Sequence, residues 1–174
     1  MIELELTYLA KYLPENLKAY PVKEIVDIYV PVAFEHPTIR IRKNGDVYEI
    51  TKKEPVSGTD SSEQLEQTIK ITAEEFQEFL KFPGKIVKKH RYIYPFGDLH
   101  AEIDVFDGDL SGLILVDFEF DNQKEKDLFV APDFCLAEIT QEKFLAGGMV
   151  CGKSYKDIEQ ELSKYNYKKI IFNK

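Results

Sequence analysis

The sequence predicts a β-rich α+β fold in which about eight antiparallel strands close, or nearly close, into a barrel with helices packed outside. Three observations carry that expectation. Short runs of alternating character recur along the chain between Pro, Gly, Asn and Asp signals. Ten Tyr and twelve Phe supply bulky groups that suit a pleated surface. Charges of one sign recur two residues apart within single runs, so they share one face of a strand.

At 174 residues the chain is long enough to bury a core without disulfides, and residues 1–174 read as a single domain. The formal charge of -8 disfavours a general affinity for nucleic acid or anionic membranes. No segment approaches the roughly 20 apolar residues needed to span a bilayer. The opening Met1-Ile2-Glu3-Leu4-Glu5 places acids where a signal peptide needs bases. Cys135 and Cys151 have no CxxC partner and read as buried free thiols. A cytoplasmic setting fits all of this.

Strands are expected at 2–9, 24–32, 38–43, 47–53, 66–71, 85–94, 101–106 and 113–120. Asn44-Gly45 marks the strongest hairpin, since the pair suits a tight type I′ turn. Thr72 and Glu75 form a capping box ahead of Phe76, Phe79 and Leu80 at helical spacing. Ser154 caps a second helix with Tyr155, Ile158 and Leu162 on one face. Shorter helices are expected near Thr140 and after Pro14, and residues 55–62 read as a mobile loop.

Sorting the strands by face gives the functional signal. Glu3 with Glu5, Glu102 with Asp104, and Asp117 with Glu119 make three acidic pairs; Arg40 with Arg42 and Lys89 with Arg91 make two basic ones, and Thr51 shares a face with Lys53. The alternate faces, such as Ile103 with Val105 and Val116 with Phe118 and Phe120, are apolar. In an ordinary sheet the charged face simply meets water. Sorting by sign across separate strands points instead to charged faces turned inward around a wet lumen. Opposed basic and acidic walls suit a polyphosphate, with Arg and Lys on its oxygens and carboxylates on a hard cation bridging them.

The same residues carry a family likeness. Glu3-Leu4-Glu5-Leu6-Thr7 resembles the ExExK signature of the CYTH, or triphosphate tunnel, family, and Tyr8-Leu9 with Leu13-Pro14 looks like its continuation. The likeness runs on through Arg40-Ile41-Arg42, Thr51-Lys52-Lys53, Lys89-His90-Arg91-Tyr92, the stretch from Glu102 to Gly108, Asp117-Phe118-Glu119, Pro132-Asp133-Phe134 and Glu138-Ile139-Thr140. The resemblance implies an eight-stranded tunnel and metal-dependent hydrolysis of inorganic triphosphate or another triphosphate compound, such as a nucleoside or thiamine triphosphate. Adenylyl cyclisation, or capture of a triphosphate, nucleotide or polyphosphate without turnover, are the alternatives.

On this reading the metal ligands are Glu3, Glu5, Asp117 and Glu119, for Mg2+ or Mn2+, with Glu102 and Asp104 as neighbours or further ligands. Arg40, Arg42, Lys53, Lys89 and Arg91 hold the phosphates; Lys89 also stabilises the terminal phosphoryl group, and the metal or one of Glu3 and Glu5 polarises the attacking water. Thr7 stands where the signature has Lys, which removes one cation from the tunnel. Lys11 has the same parity but lies near Pro14, where the strand is ending.

Other motifs read as structural. Residues 147–154 satisfy GxxxxGK[ST], yet a phosphate-binding loop needs a strand before it and βα units after it, and the glycines read as a bend between helices. His36, His90 and His100 lack zinc spacing, and His90, alternating with Lys89 and Arg91, should point outward. Asp107-Gly108-Asp109 reads as a turn.

Overall fold

The computed structural model describes residues 2–172 of the chain. Nine strands form one sheet: β1 (Ile2–Ala10), β2 (Val22–Val30), β3 (Ile39–Asn44), β4 (Val47–Pro55), β5 (Glu63–Ile71), β6 (Lys85–Phe96), β7 (Leu99–Phe106), β8 (Ile114–Phe120) and β9 (Cys135–Glu138). The order is β5-β4-β3-β2-β6-β7-β8-β1-β9, and β1 also pairs with β5. All pairings described are antiparallel, so β1 to β8 close into an eight-stranded barrel and β9 lies outside the ring on the later half of β1.

Closure is unequal around the ring. β1 and β5 share three residue pairs, Ile2 with Leu65, Glu3 with Gln64 and Leu4 with Glu63. The other barrel pairings have five to eight. Beyond Leu4 the same edge of β1 is satisfied piecemeal: the Glu5 N–H donates to the Ser62 carbonyl at 3.1 Å and the Ile139 N–H to the Thr7 carbonyl at 2.8 Å.

The eight expected strands are all present, with boundaries shifted by up to three residues; β4 runs on to Pro55 and β7 begins at Leu99. β2 begins two residues early and ends at Val30, because Pro31 has no N–H to donate to a ladder. β5 begins at Glu63 rather than 66, and β6 runs on to Phe96. Strand β9 and helix α2 (Gln123–Asp127) were not anticipated. The expected helix after Pro14 is a 3₁₀ turn over Leu17–Ala19; that near Thr140 is a 3₁₀ turn over Lys143–Leu145 followed by α3 (Gly147–Val150).

Helix α1 (Ala73–Phe79) begins at the Thr72 capping box and packs Phe76 against Tyr48 on the outside of β4, ring centroids 5.2 Å apart. Helix α4 (Tyr155–Ser163) carries its own capping box, Ser154 with Asp157, and buries Tyr155, Ile158 and Leu162. They join Leu9, Leu113 and Leu145 in one core cluster. A second cluster lies outside β1, β7 and β8, where Phe118, Phe120 and Phe129 stack with Tyr8. Each fully buried ring of this kind contributes about 1.5–3 kcal/mol. The barrel is therefore stabilised from its outer face, and its inner face is left to polar groups. Both thiols are free, Cys151 buried and Cys135 partly so.

Candidate functional site

The sequence alternates so that odd positions of β1 and β8 and even positions of β3 and β7 meet in one lumen. Register fixes this. Glu5 lies opposite Glu119 and Thr7 opposite Asp117 on β8; Glu102 lies opposite Asp117; Arg91 lies opposite Asp104; Arg42 lies opposite Asp27. All eleven of the residues put forward as substrate or metal contacts line a cavity of about 410 Å³. Going round the ring, the basic residues of β4, β3 and β6 occupy one arc and the acidic residues of β7, β8 and β1 the other. Like charges directly opposite each other, as in Glu5 with Glu119, destabilise a sheet, so this wall is not there for stability.

Where the arcs meet, charges pair. At one seam Lys53 bonds Glu3 and stands 3.6 Å from Glu5 and 3.4 Å from Glu66. At the other, Arg91 makes two bonds to Asp104, at 2.6 and 2.7 Å, another to Glu102, and one of 3.1 Å to Asp117. Lys89 bonds the same Asp104, which is 1% exposed. Asp104 is thus the shared counter-ion of Lys89 and Arg91. Arg42 forms a two-pronged pair with Asp27 at 2.6 and 2.8 Å, both side chains buried. Arg40 is held more loosely, 3.6 Å from Glu66, and its buried Nε has no hydrogen-bond partner.

Burial and neighbouring charge pull the titrations apart. Burial pushes Asp104 up, but Arg91 and Lys89 outweigh it and hold the carboxyl well below the usual range. Lys89 moves down because desolvation outweighs Asp104. Glu5 is raised, first by burial and then by Asp117 and Glu3, against the pull of Lys53. Glu119 is pushed up to about 7 by desolvation and by Glu102 and Glu3. Its side chain is nevertheless open to solvent in the cavity and makes no hydrogen bond or ion pair among the described residues.

Nine carboxylates and six Lys or Arg side chains line the cavity, so negative charge is in excess. No three acidic, His or Cys side chains among the described residues already form a metal cage. The donor set still fits a hard divalent cation in chemistry, being all carboxylate and concentrated on β1, β7 and β8.

Asp27, Glu49, Glu66, Gln64 and Thr140 also line or brace this site and were not singled out from sequence. Gln64 and Glu66 lie in a run that is polar at nearly every position, so no face stands out, and Asp27, Glu49 and Thr140 lack a like-charged residue two positions away. Asp27, a single acid in the apolar run Ile25-Val26-Asp27-Ile28, was the most readable of them. His90 points outward as expected, its Nδ1 2.8 Å from the Asp107 carboxylate, whereas His36 lines the cavity near Gly148. Lys11, exposed just past the end of β1, does not reach the lumen.

Residues 147–154 form no phosphate loop. A Cβ on Gly147 would lie 2.1 Å from the Tyr29 hydroxyl, and one on Gly148 2.3 Å from the Pro37 carbonyl, so these glycines allow the segment to pack against the barrel end. Asp107 to Asp109 form a turn leading into a 3₁₀ segment, with Gly108 at φ 59°.

No family model matches the chain. An inorganic triphosphatase from Nitrosomonas europaea is 32% identical over 146 residues, covering 82% of this chain and 92% of that protein. The solved structure of the inorganic triphosphatase NE1496 superposes with a TM-score of 0.62 at 24% identity, covering 86% of this chain and 93% of that one. The PH1012 protein from Pyrococcus horikoshii shares the fold at a TM-score of 0.50 and 17% identity, covering 95% and 91%. The tunnel with its opposed charged walls, the ordered motifs on its strands and the relative that matches across most of both chains lead to one assignment: the chain belongs to the CYTH family of triphosphate tunnel proteins.

Proposed function

We propose that the protein hydrolyses inorganic triphosphate and needs a divalent cation, magnesium or manganese, to do so. The observation that carries this reading is the division of one lumen into a basic and an acidic arc. The named activity of the Nitrosomonas relative supports it.

Arg40, Arg42, Lys53 and Arg91 hold the phosphate oxygens. Lys89, fixed by Asp104, stabilises the charge gathering on the terminal phosphoryl group. Glu3, Glu5, Asp117 and Glu119 hold the cation, which supplies charge neutralisation at the phosphate oxygens when bound. A water oxygen adds to the terminal phosphorus as the bond to the bridging oxygen breaks, leaving diphosphate and phosphate. Glu3 or Glu5 takes the proton from that water.

Phosphate release from purified protein, with tripolyphosphate and each metal in turn, tests the reading. Turnover with metal and none in chelator is expected, and Lys89→Ala should lose turnover more than binding. Metal-dependent binding without release would identify a triphosphate-binding module instead.

A further inference from the structure

Thr7 is the neutral member of the β1 lumen face, between Glu5 and the buried end of the strand. Its hydroxyl donates to Asp117 Oδ1 at 2.7 Å, directly across the β1–β8 ladder. Its backbone is fixed from the other side: the N–H donates to Thr140 Oγ1 at 3.0 Å and the carbonyl accepts from the Ile139 N–H at 2.8 Å. The other Asp117 oxygen, Oδ2, accepts from Arg91 at 3.1 Å. One carboxylate is therefore oriented at both oxygens, once by a neutral donor on a braced strand and once by a cation at the seam.

We infer that Thr7 is a positioning residue that orients Asp117 for a divalent cation without neutralising it. An ionised carboxylate has about four lone-pair sites, and the two bonds described use half of them. A hydroxyl fixes the rotamer and leaves the negative charge in place. An ammonium group at the same position would form an ion pair with Asp117 and compete with the cation. The arrangement also differs from that at Glu119, two residues along the same face, which has no hydrogen bond or ion pair among the described residues. Asp117 is the pre-oriented ligand of β8 and Glu119 the one without such a brace among the described residues. Partners of this kind behind a metal-binding carboxylate typically contribute 10- to 100-fold in metal affinity.

This inference rests on the assignment of Asp117 as a cation ligand, so the experiment separates the two. Manganese binding to the substrate-free protein is measured by calorimetry for wild type, Thr7→Val, Thr7→Ser, Thr7→Lys and Asp117→Asn, with thermal melts to establish that each variant is folded. Thr7→Val keeps the shape and removes the donor, and should weaken manganese about tenfold. Thr7→Ser restores the donor and should stay within about twofold of wild type, which a purely packing role for the Thr7 methyl would not produce. Thr7→Lys should weaken manganese at least as much as Thr7→Val. If Asp117→Asn loses affinity while Thr7→Val does not, the role of Thr7 is overturned and the ligand assignment stands. If Asp117→Asn binds manganese as wild type does, the assignment itself fails and the inference with it.

Discussion

Asp27 and Arg42 sit back to back beneath the basic arc, 2% and 6% exposed. Burial alone would raise the Asp27 carboxyl, but the charge and hydrogen bonds of Arg42 hold it at about 2. Asp27→Asn would leave a buried guanidinium without its counter-ion, which typically costs about 3–5 kcal/mol. The wild-type advantage should be complete above an ordinary carboxyl pKa of about 4 and disappear as pH falls through about 2. Urea melts of the two proteins at several pH values check this, and a variant as stable as wild type at neutral pH would refute it. Glu119 has the opposite sign. Raised to about 7, it binds a proton more tightly in the folded state and costs stability as pH rises above its unfolded pKa. In chelator, Glu119→Gln should melt higher than wild type at pH 8 and no higher at pH 4. The contrast explains what could be read from sequence at this scale. Paired charges announced the walls, whereas the acids that hold those charges in place gave no such signal: Asp27 is a single acid in an apolar run, and Glu66 is one polar residue among many in β5.

The elements divide in the same way. Strands β1 to β8 were legible because each is long enough for alternation to show. Strand β9, with four residues, and α2, with five, are too short to carry a period. α2 is instead set by contacts remote in sequence: buried Lys126 donates to the Ser62 hydroxyl at 2.7 Å and stands 3.8 Å from Glu63, so it anchors the start of β5. The stretch that imitates a phosphate loop is explained by packing rather than by phosphate. Gly147→Ala should push its methyl into the Tyr29 ring and destabilise the protein by about 1–3 kcal/mol, as overpacked sites do. Because Tyr29 lines the lumen beside Arg40, KM for triphosphate should rise as well. Equilibrium unfolding and steady-state kinetics of this one variant read both effects; an unchanged melt would mean that the segment has room to move.

At the scale of the whole molecule, the order of strands was not legible, and it does the most for function. Nothing in the local pattern says that β6 follows β2 in the ring, yet that crossover joins Lys89 and Arg91 to the arginines of β3 and leaves β7, β8 and β1 as one acidic arc. Sign sorting was visible along the chain; the fold turned it into two continuous walls.

The short joint between β1 and β5 sets how the ring breathes. With three residue pairs against five to eight elsewhere, it is the place where the barrel can open without unfolding. Amide deuterium exchange should be faster at Glu3 and Gln64, the facing pair of that joint, than in the eight-pair β6–β7 ladder. The ion pair of Lys53 with Glu3 spans the same joint, linking β4 to β1 across β5. A ligand that engages both side chains would act as a rivet there, and slowing of exchange at those amides with manganese and triphosphate present would report it. The tunnel would then be loosest when empty and tightest around its substrate, with the change concentrated in its shortest ladder.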